Sequence, residues 1–337
     1  MKDYTMKILN GLSLGIVTAL IPSALLGELS KALGWAPIVQ LTAIAVSMVP
    51  MAIGVAVAHQ FKFNPLQTIC LAIAVVIGSG VVKFTDAGMV IKGTGDVINA
   101  GLTAALAAGV VLMLNGKAKN FAILITPIFV SILAGGIGLL LLPFVVKITA
   151  AIGSLIAHMT TLQPILMGIL ISVSYAFLIV SPVSTVGVAL AVGLTGIASG
   201  TANLGVVAAS FGLAIGGISV NGLGLSLAPV LGSPKIFMGN LAKQPKILLP
   251  ILANAAVLGA LGAAFGIPGT PFSAGFGISG LIGPINALNI MGWNFGSIAV
   301  VIFLFLIAPI ALGFLFRYLL IDKAQLVERE DYKLEIV

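Results

Sequence analysis

The residues able to do chemistry in this chain are few and unevenly placed. Nine Asp and Glu, sixteen Lys and Arg, two His and one Cys stand among 337 residues, and no carboxylate lies between Asp96 and Asp322. Over that long stretch the charged side chains are all basic, and the uncharged polar candidates for a ligand are hydroxyls and amides. They are Ser181, Ser184 and Thr185 in SPVST, Ser199, Thr201 and Asn203 in ASGTAN, Asn221 in SVNG, and Ser273 and Ser279 in GTPFSAGFGISGLIGP, residues 269–284. Sparse hydroxyls and amides in apolar surroundings suit hydrogen bonding to a neutral polar ligand. The same residue types also cap half-helices, bond back to their own helix, or let helices approach closely, so each has a structural reading beside the functional one.

Other chemistries lack their residues. There is no paired Cys or His at metal-ligand spacing, no P-loop, no GxSxG and no dinucleotide fingerprint, so neither a metal nor a cofactor is called for and no catalytic residue is assigned. Cys70, in LQTICLAIAVV, has no partner for an intrachain disulfide and reads as a small buried hydrophobe. His158, in IAHMTTLQP, reads as interfacial, and His59, beside Lys62 in VAHQFKF, as a solvated helix end. The charges Lys83, Asp86, Lys92 and Asp96 read as a solvated loop; folded back into the protein instead, they would supply a carboxylate. Glu28 in LGELSK is the other acidic candidate. Glu328, Glu330, Asp331 and Glu335, mixed with Arg329 and Lys333, look like a solvated end with no assigned role.

These polar groups must be positioned by elements of an unusual kind. The chain is 60% hydrophobic and 7% charged, with a net charge of +7, whereas soluble domains carry roughly 25% charged residues. The composition predicts an all-α polytopic membrane protein, a single membrane domain over 1–337 with the lipid bilayer as its solvent. Basic residues are spread over loops without interleaved aromatics, which argues against nucleic acid. The first apolar segment lacks a small-residue cleavage site and is read as a helix rather than a signal peptide. Windows of apolar sequence give about ten spans, at 8–27, 38–58, 66–82, 97–115, 121–142, 163–180, 183–200, 203–231, 247–266 and 297–316. With a cytoplasmic N-terminus the inner segments hold 12 of the 16 basic residues, leaving Lys31, Lys83, Lys92 and Lys147 outside, and both termini face the cytoplasm.

Three segments do not read as plain spans. Residues 144–164, with Lys147 and a polar end, suit a helix lying along the membrane interface rather than crossing it, at the junction of a first half, 1–162, and a second, 163–337. Residues 78–96 and 269–284 read as outer loops or re-entrant hairpins. Irregular backbone at membrane depth is tolerated only where protein or a watery cavity satisfies it, which makes a glycine-rich hairpin a candidate substrate cradle; the alternative is an exposed loop. A shared GxxxN, Gly95 to Asn99 and Gly217 to Asn221, hints at a two-repeat architecture.

From Gln163 the chain runs QPILMGILISVSYAFLIVSPVSTVGVALAVGLTGIASG, then SVNGLGLSLAPVLGSPKIFMGN, then AGFGISGLIGPI. It resembles the membrane-embedded IIC component of the bacterial phosphoenolpyruvate-dependent sugar phosphotransferase system, in its stand-alone type-two form. The resemblance implies a homodimer of ten-helix protomers in the bacterial cytoplasmic membrane, carrying a small-molecule substrate between re-entrant hairpins by alternating access, with soluble IIA and IIB phosphocarriers as partners. It implies substrate-binding roles for Ser181, Ser184, Thr185, Asn203, Asn221, Ser273 and Ser279. The chain departs from the pattern in one respect: relatives in the wider superfamily use an intramembrane glutamate and histidine near the sugar, and the second half here offers no carboxylate. Two alternatives follow: a secondary transporter whose solute is not phosphorylated, and a receptor that kept the fold and docks a partner on its 235–246 loop.

Overall fold

The computed structural model describes residues 2–86, 88–91, 93–115, 117 and 121–334. The side chains of residues 2, 24, 25, 28, 29, 31 and 32 fall outside that description. The side chains of Glu28 and Lys31, and the residues Lys92 and Glu335, all named above, therefore lie outside the description. The chain divides into two compact units, Met1–Ile148 and Thr149–Ile336.

The first unit is built of α1 (Lys2–Ala32), α2 (Ala36–Ser47), α3 (Val49–Gln60), α4 (Pro65–Gly78), the strands β1 (Val82–Thr85) and β2 (Gly88–Ile91), α5 (Val97–Leu114), α6 (Ala122–Thr126) and the first half of α7 (Gly135–Met159). Helix starts follow local chemistry. Pro65 opens α4 behind a reciprocal Asn64–Gln67 capping box, and the Asp96 carboxylate accepts from Asn99 N at the start of α5, each satisfying amides that the first turn leaves unbonded. The buried Asn99 amide donates to Gly78 O (2.5 Å) and Gly138 O (2.8 Å), tying α4, α5 and α7 together. Cys70 is buried, and the hydroxyl of Ser131 donates to its carbonyl. β1 and β2 pair antiparallel and are exposed except at Val82, with Asp86 exposed after β1.

The second unit holds α8 (Pro164–Val180), α9 (Thr185–Val192), α10 (Gly196–Gly217), α11 (Leu223–Leu231), α12 (Met238–Lys243), α13 (Leu248–Ala264), α14 (Ile282–Met291), α15 (Phe295–Ile302) and α16 (Ala308–Arg317). Its centre is α10, whose apolar window is 89% buried. Helices α8 and α13 pack against it and against each other: a methyl at Gly205 of α10 would stand 2.0 Å from Ser172 O of α8, and one at Gly259 of α13 would stand 2.3 Å from Gly168 O of α8. Small residues at these positions allow the approach that drives helix association in lipid. Ser172 Oγ then donates to Ala255 O at 2.7 Å, and Asn254 Nδ2 to Pro309 O at 3.0 Å.

Six helices among the described residues are long and apolar enough to cross a membrane, or seven if α2 and α3, bent by 49°, make one span; α4 and α8 are shorter apolar helices. Their large apolar side chains point outward, as with Leu140 (75% exposed) on α7 and Phe295 (89%) on α15. Such surfaces belong against lipid rather than water.

Two expected spans, and the segment between the fifth and sixth, take a different form. The window 183–200 is not one helix, because α9 stops at Gly193 in left-handed conformation and α10 starts afresh at Gly196. The window 203–231 breaks between Gly217 and Leu223. Residues 143–159, read as a separate element, continue α7, which keeps Pro143 inside it. Hydropathy averages over such joints and cannot see them.

Candidate functional site

The second unit brings three polar segments together around the start of α10. Residues 181–185 join α8 to α9; Ser181 Oγ folds back to Leu178 O (2.7 Å) and accepts from Val183 N. Ser184 Oγ caps α9 by accepting from Gly187 N at 3.0 Å. Thr185 Oγ1 reaches across to Gly275 O at 3.0 Å, linking this segment to the glycine run.

That run is not an exposed loop: Ser273 and Ala274 are fully buried. Gly275 (φ +90°) and Gly277 (φ +62°) take left-handed backbone, and a methyl at Gly275 would stand 2.8 Å from Thr185 Cβ, so only glycine fits both demands. Asn203 of α10, 1% exposed, accepts from Gly277 N at 3.0 Å. Ser199 Oγ donates to Thr270 O at 2.7 Å. Ser273 Oγ lies 2.8 Å from Asn286 Oδ1, and Ser279 Oγ donates to Gly232 O at 3.1 Å. Leu281 is left-handed at φ +58°, a conformation that costs a residue with a side chain about 1–2 kcal/mol.

Lys235 closes the circuit. It sits on a short helix, Pro234–Phe237, whose N-cap is Ser233. Although 5% exposed, it sends its ammonium to Ser181 O (2.5 Å) and Val183 O (2.8 Å). Burial pushes its pKa down to about 7, because desolvation disfavours the charged form. So residues 181–185 touch the run at Gly275, the run touches α10 at Asn203 and Gly232 at Ser279, and the loop after Gly232 returns through Lys235 to 181–183. Sequence reasoning missed Lys235 as a site residue and placed it on an exposed docking loop; its burial corrects that, while Lys243 and Lys246 are exposed.

What the circuit offers a ligand is hydrogen-bonding capacity. The Asn203 amide nitrogen is buried without a hydrogen-bond partner. A buried unsatisfied polar group calls for an explanation, and a site for an absent polar molecule is one. Thr201 bonds only within its own helix. Among the described residues no three His, Cys, Asp or Glu are grouped as a metal site would need. His158 and His59 are exposed.

Asn221 stands apart. Its Nδ2 donates to Tyr332 O and its Oδ1 accepts from Leu334 N, both at 2.8 Å. Its counterpart in the shared GxxxN, Asn99, instead ties three helices within the first unit. The C-terminal segment that Asn221 holds is not the solvated end its charges suggest. Tyr332 is fully buried, Val327 and Leu334 are buried too, and Asn240 Nδ2 donates to Asp331 O and Lys333 O. Glu328, Arg329 and Glu330 face solvent.

A family model described as Phosphotransferase system, EIIC, matches residues 6–334. No curated protein matches the chain, and no solved structure does.

Proposed function

The chain belongs to the EIIC family of the phosphotransferase system, and from that premise we propose that it is a permease for a small, neutral polar solute such as a carbohydrate. Membership makes it a multi-pass membrane component of sugar transport that works with IIA and IIB phosphocarriers and a small-molecule substrate. In our reading it is a homodimer in the bacterial cytoplasmic membrane, with both termini cytoplasmic, working by alternating access. Ser181, Ser184, Thr185, Asn203, Ser273 and Ser279 form its solute site; Asn221 is left out because both of its amide atoms hold the C-terminal segment.

One observation carries the reading: an unpartnered, buried amide nitrogen on Asn203, whose oxygen is bonded to the backbone of the glycine run. An amide donor amid serine and threonine hydroxyls recognises sugar hydroxyls and needs no charge. Since no carboxylate lies between Asp96 and Asp322, a carboxylate base for the sugar hydroxyl is absent from this stretch, and in our reading the phosphoryl chemistry falls to the IIB partner. The same absence favours a second reading, transport without phosphorylation.

The test is binding. The purified protein in lipid nanodiscs is titrated with hexoses, pentoses, hexitols and disaccharides, and bound solute is measured at equilibrium. At least one should bind, and Asn203→Ala should weaken it about tenfold, as for the loss of one well-placed hydrogen bond. No binding across the panel, or equal affinity in the variant, would refute the site.

A further inference from the structure

Two features of the second unit are unused by that reading: the buried Lys235 and the docked C-terminal segment. The structure joins them. Phe237, on the same four-residue helix as Lys235, is fully buried and meets the Tyr332 ring edge-on at 6.3 Å between centroids. Tyr332 lies against Gly216, where a methyl would come within 2.6 Å of its ring, and its hydroxyl donates to Ile247 O at 3.2 Å. Asn221 grips this segment at residues 332 and 334, and Asn240, three residues beyond Phe237, grips it at 331 and 333. The segment is thus fastened to the elements on both sides of the helix that carries Lys235.

At the other end of the lysine side chain are the two carbonyls left without helical partners where α8 ends. The contact spans 54 residues to Ser181 and 52 to Val183, so the lysine is a tertiary strut rather than a local cap. We propose that Lys235 is a positioning residue that holds the 181–183 break of the solute site in place, and that the docked segment 327–334 governs this contact by fixing the Pro234–Phe237 helix. Undocking the segment frees Phe237, lets the short helix shift, and withdraws the ammonium from Ser181 and Val183. Gly232, which accepts from Ser279 of the glycine run, lies on the same loop, so both contacts of the loop with the site loosen together. The segment is therefore a latch on one side of the site, and a partner that competes for the Tyr332 socket, such as a phosphocarrier, would open it.

A thiol reporter reads the latch without solute or phosphocarrier, so failure of the transport reading leaves this test standing. Cys70 is the one native cysteine; it is replaced (Cys70→Ala), and Val183→Cys is introduced at a position now buried. Labelling by N-ethylmaleimide is followed in nanodiscs. Lys235→Met, Tyr332→Ala and truncation after Leu326 should each speed labelling by about tenfold or more, as expected when at least one buried hydrogen-bonded contact is lost. Lys333→Ala, altering an exposed side chain, should not. Adding a synthetic peptide of residues 327–337 to the truncated protein should restore slow labelling, which an unfolded chain would not regain. The proposal is overturned if Lys235→Met labels at the parent rate, if only the tail variants accelerate, or if the peptide fails to restore protection.

Discussion

Replacing Asn221 by alanine separates two roles this residue could have. In the structure its side chain makes one hydrogen bond to Tyr332 O and one from Leu334 N, each 2.8 Å. Each is worth about 1 kcal/mol net, and a buried group left unbonded costs about 1–3 kcal/mol. Asn221→Ala should therefore weaken docking of the C-terminal segment by about 2–4 kcal/mol, which is roughly 30- to 1000-fold in its undocking equilibrium. The side chain it loses is 7% exposed, so little new contact with water offsets the loss. Limited trypsin digestion reads the change, because Arg329 and Lys333 lie in the docked segment, and cleavage of a transiently opened segment tracks its open population. Cleavage should accelerate by at least about tenfold, allowing for saturation once the segment is mostly free. Neither bond touches the proposed site, so solute affinity should change no further than truncation after Leu326 changes it. Unchanged cleavage together with lost solute binding would refute the assignment and return Asn221 to the solute site.

Three further outcomes follow from the packing and the charges. Gly205→Ala places a methyl 2.0 Å from Ser172 O, so it should lower stability by about 1–3 kcal/mol or more, whereas Gly136→Ala, with nothing within 4 Å, should be neutral or stabilising by up to about 1 kcal/mol; thermal unfolding in nanodiscs compares them. Asp96→Ala removes the cap of α5 and should cost about 1 kcal/mol, read by the same assay. Lys235 titrates near 7 in the folded protein against an ordinary 10.5, so the unfolded chain binds more protons between those values. Stability contributed by this group should therefore rise as pH increases from about 7 towards 10, and the Lys235→Met variant should lack that component when unfolding is followed across the range.

Much of the architecture was legible from composition alone, because a chain with 7% charge has few places to turn except lipid. The ends of α4 and α5 were likewise written locally, in Asn64, Pro65 and Asp96. What hydropathy could not resolve were joints made from residues as apolar as the helices they interrupt. Gly193 and Gly196 stop and restart the chain within a window that averages as one span, and residues 143–159 continue α7 despite Lys147 and Pro143.

At the site, residue types could be read but their meetings could not. Thr185 finds Gly275 over 90 residues and Asn203 finds Gly277 over 74, separations that no local pattern encodes. Asn221 read as a candidate like the other polar residues of an apolar chain, yet its amide serves the backbone of residues 332–334. Lys235 was passed over because lysines are almost never fully buried. The tail was misread for the same reason: its charges lie on the outward side, while Val327, Tyr332 and Leu334 point in.

The central claim, that this EIIC chain carries a polar solute through the second unit, is tested most directly by uptake. Proteoliposomes containing the purified protein are given a labelled panel of sugars and sugar alcohols, with and without phosphorylated IIA and IIB, in parent and Asn203→Ala forms. The account predicts saturable uptake of at least one solute that depends on the phosphocarriers and is impaired in the variant. Absence of uptake in every condition would contradict it, as would uptake of the same rate and affinity in the Asn203→Ala protein.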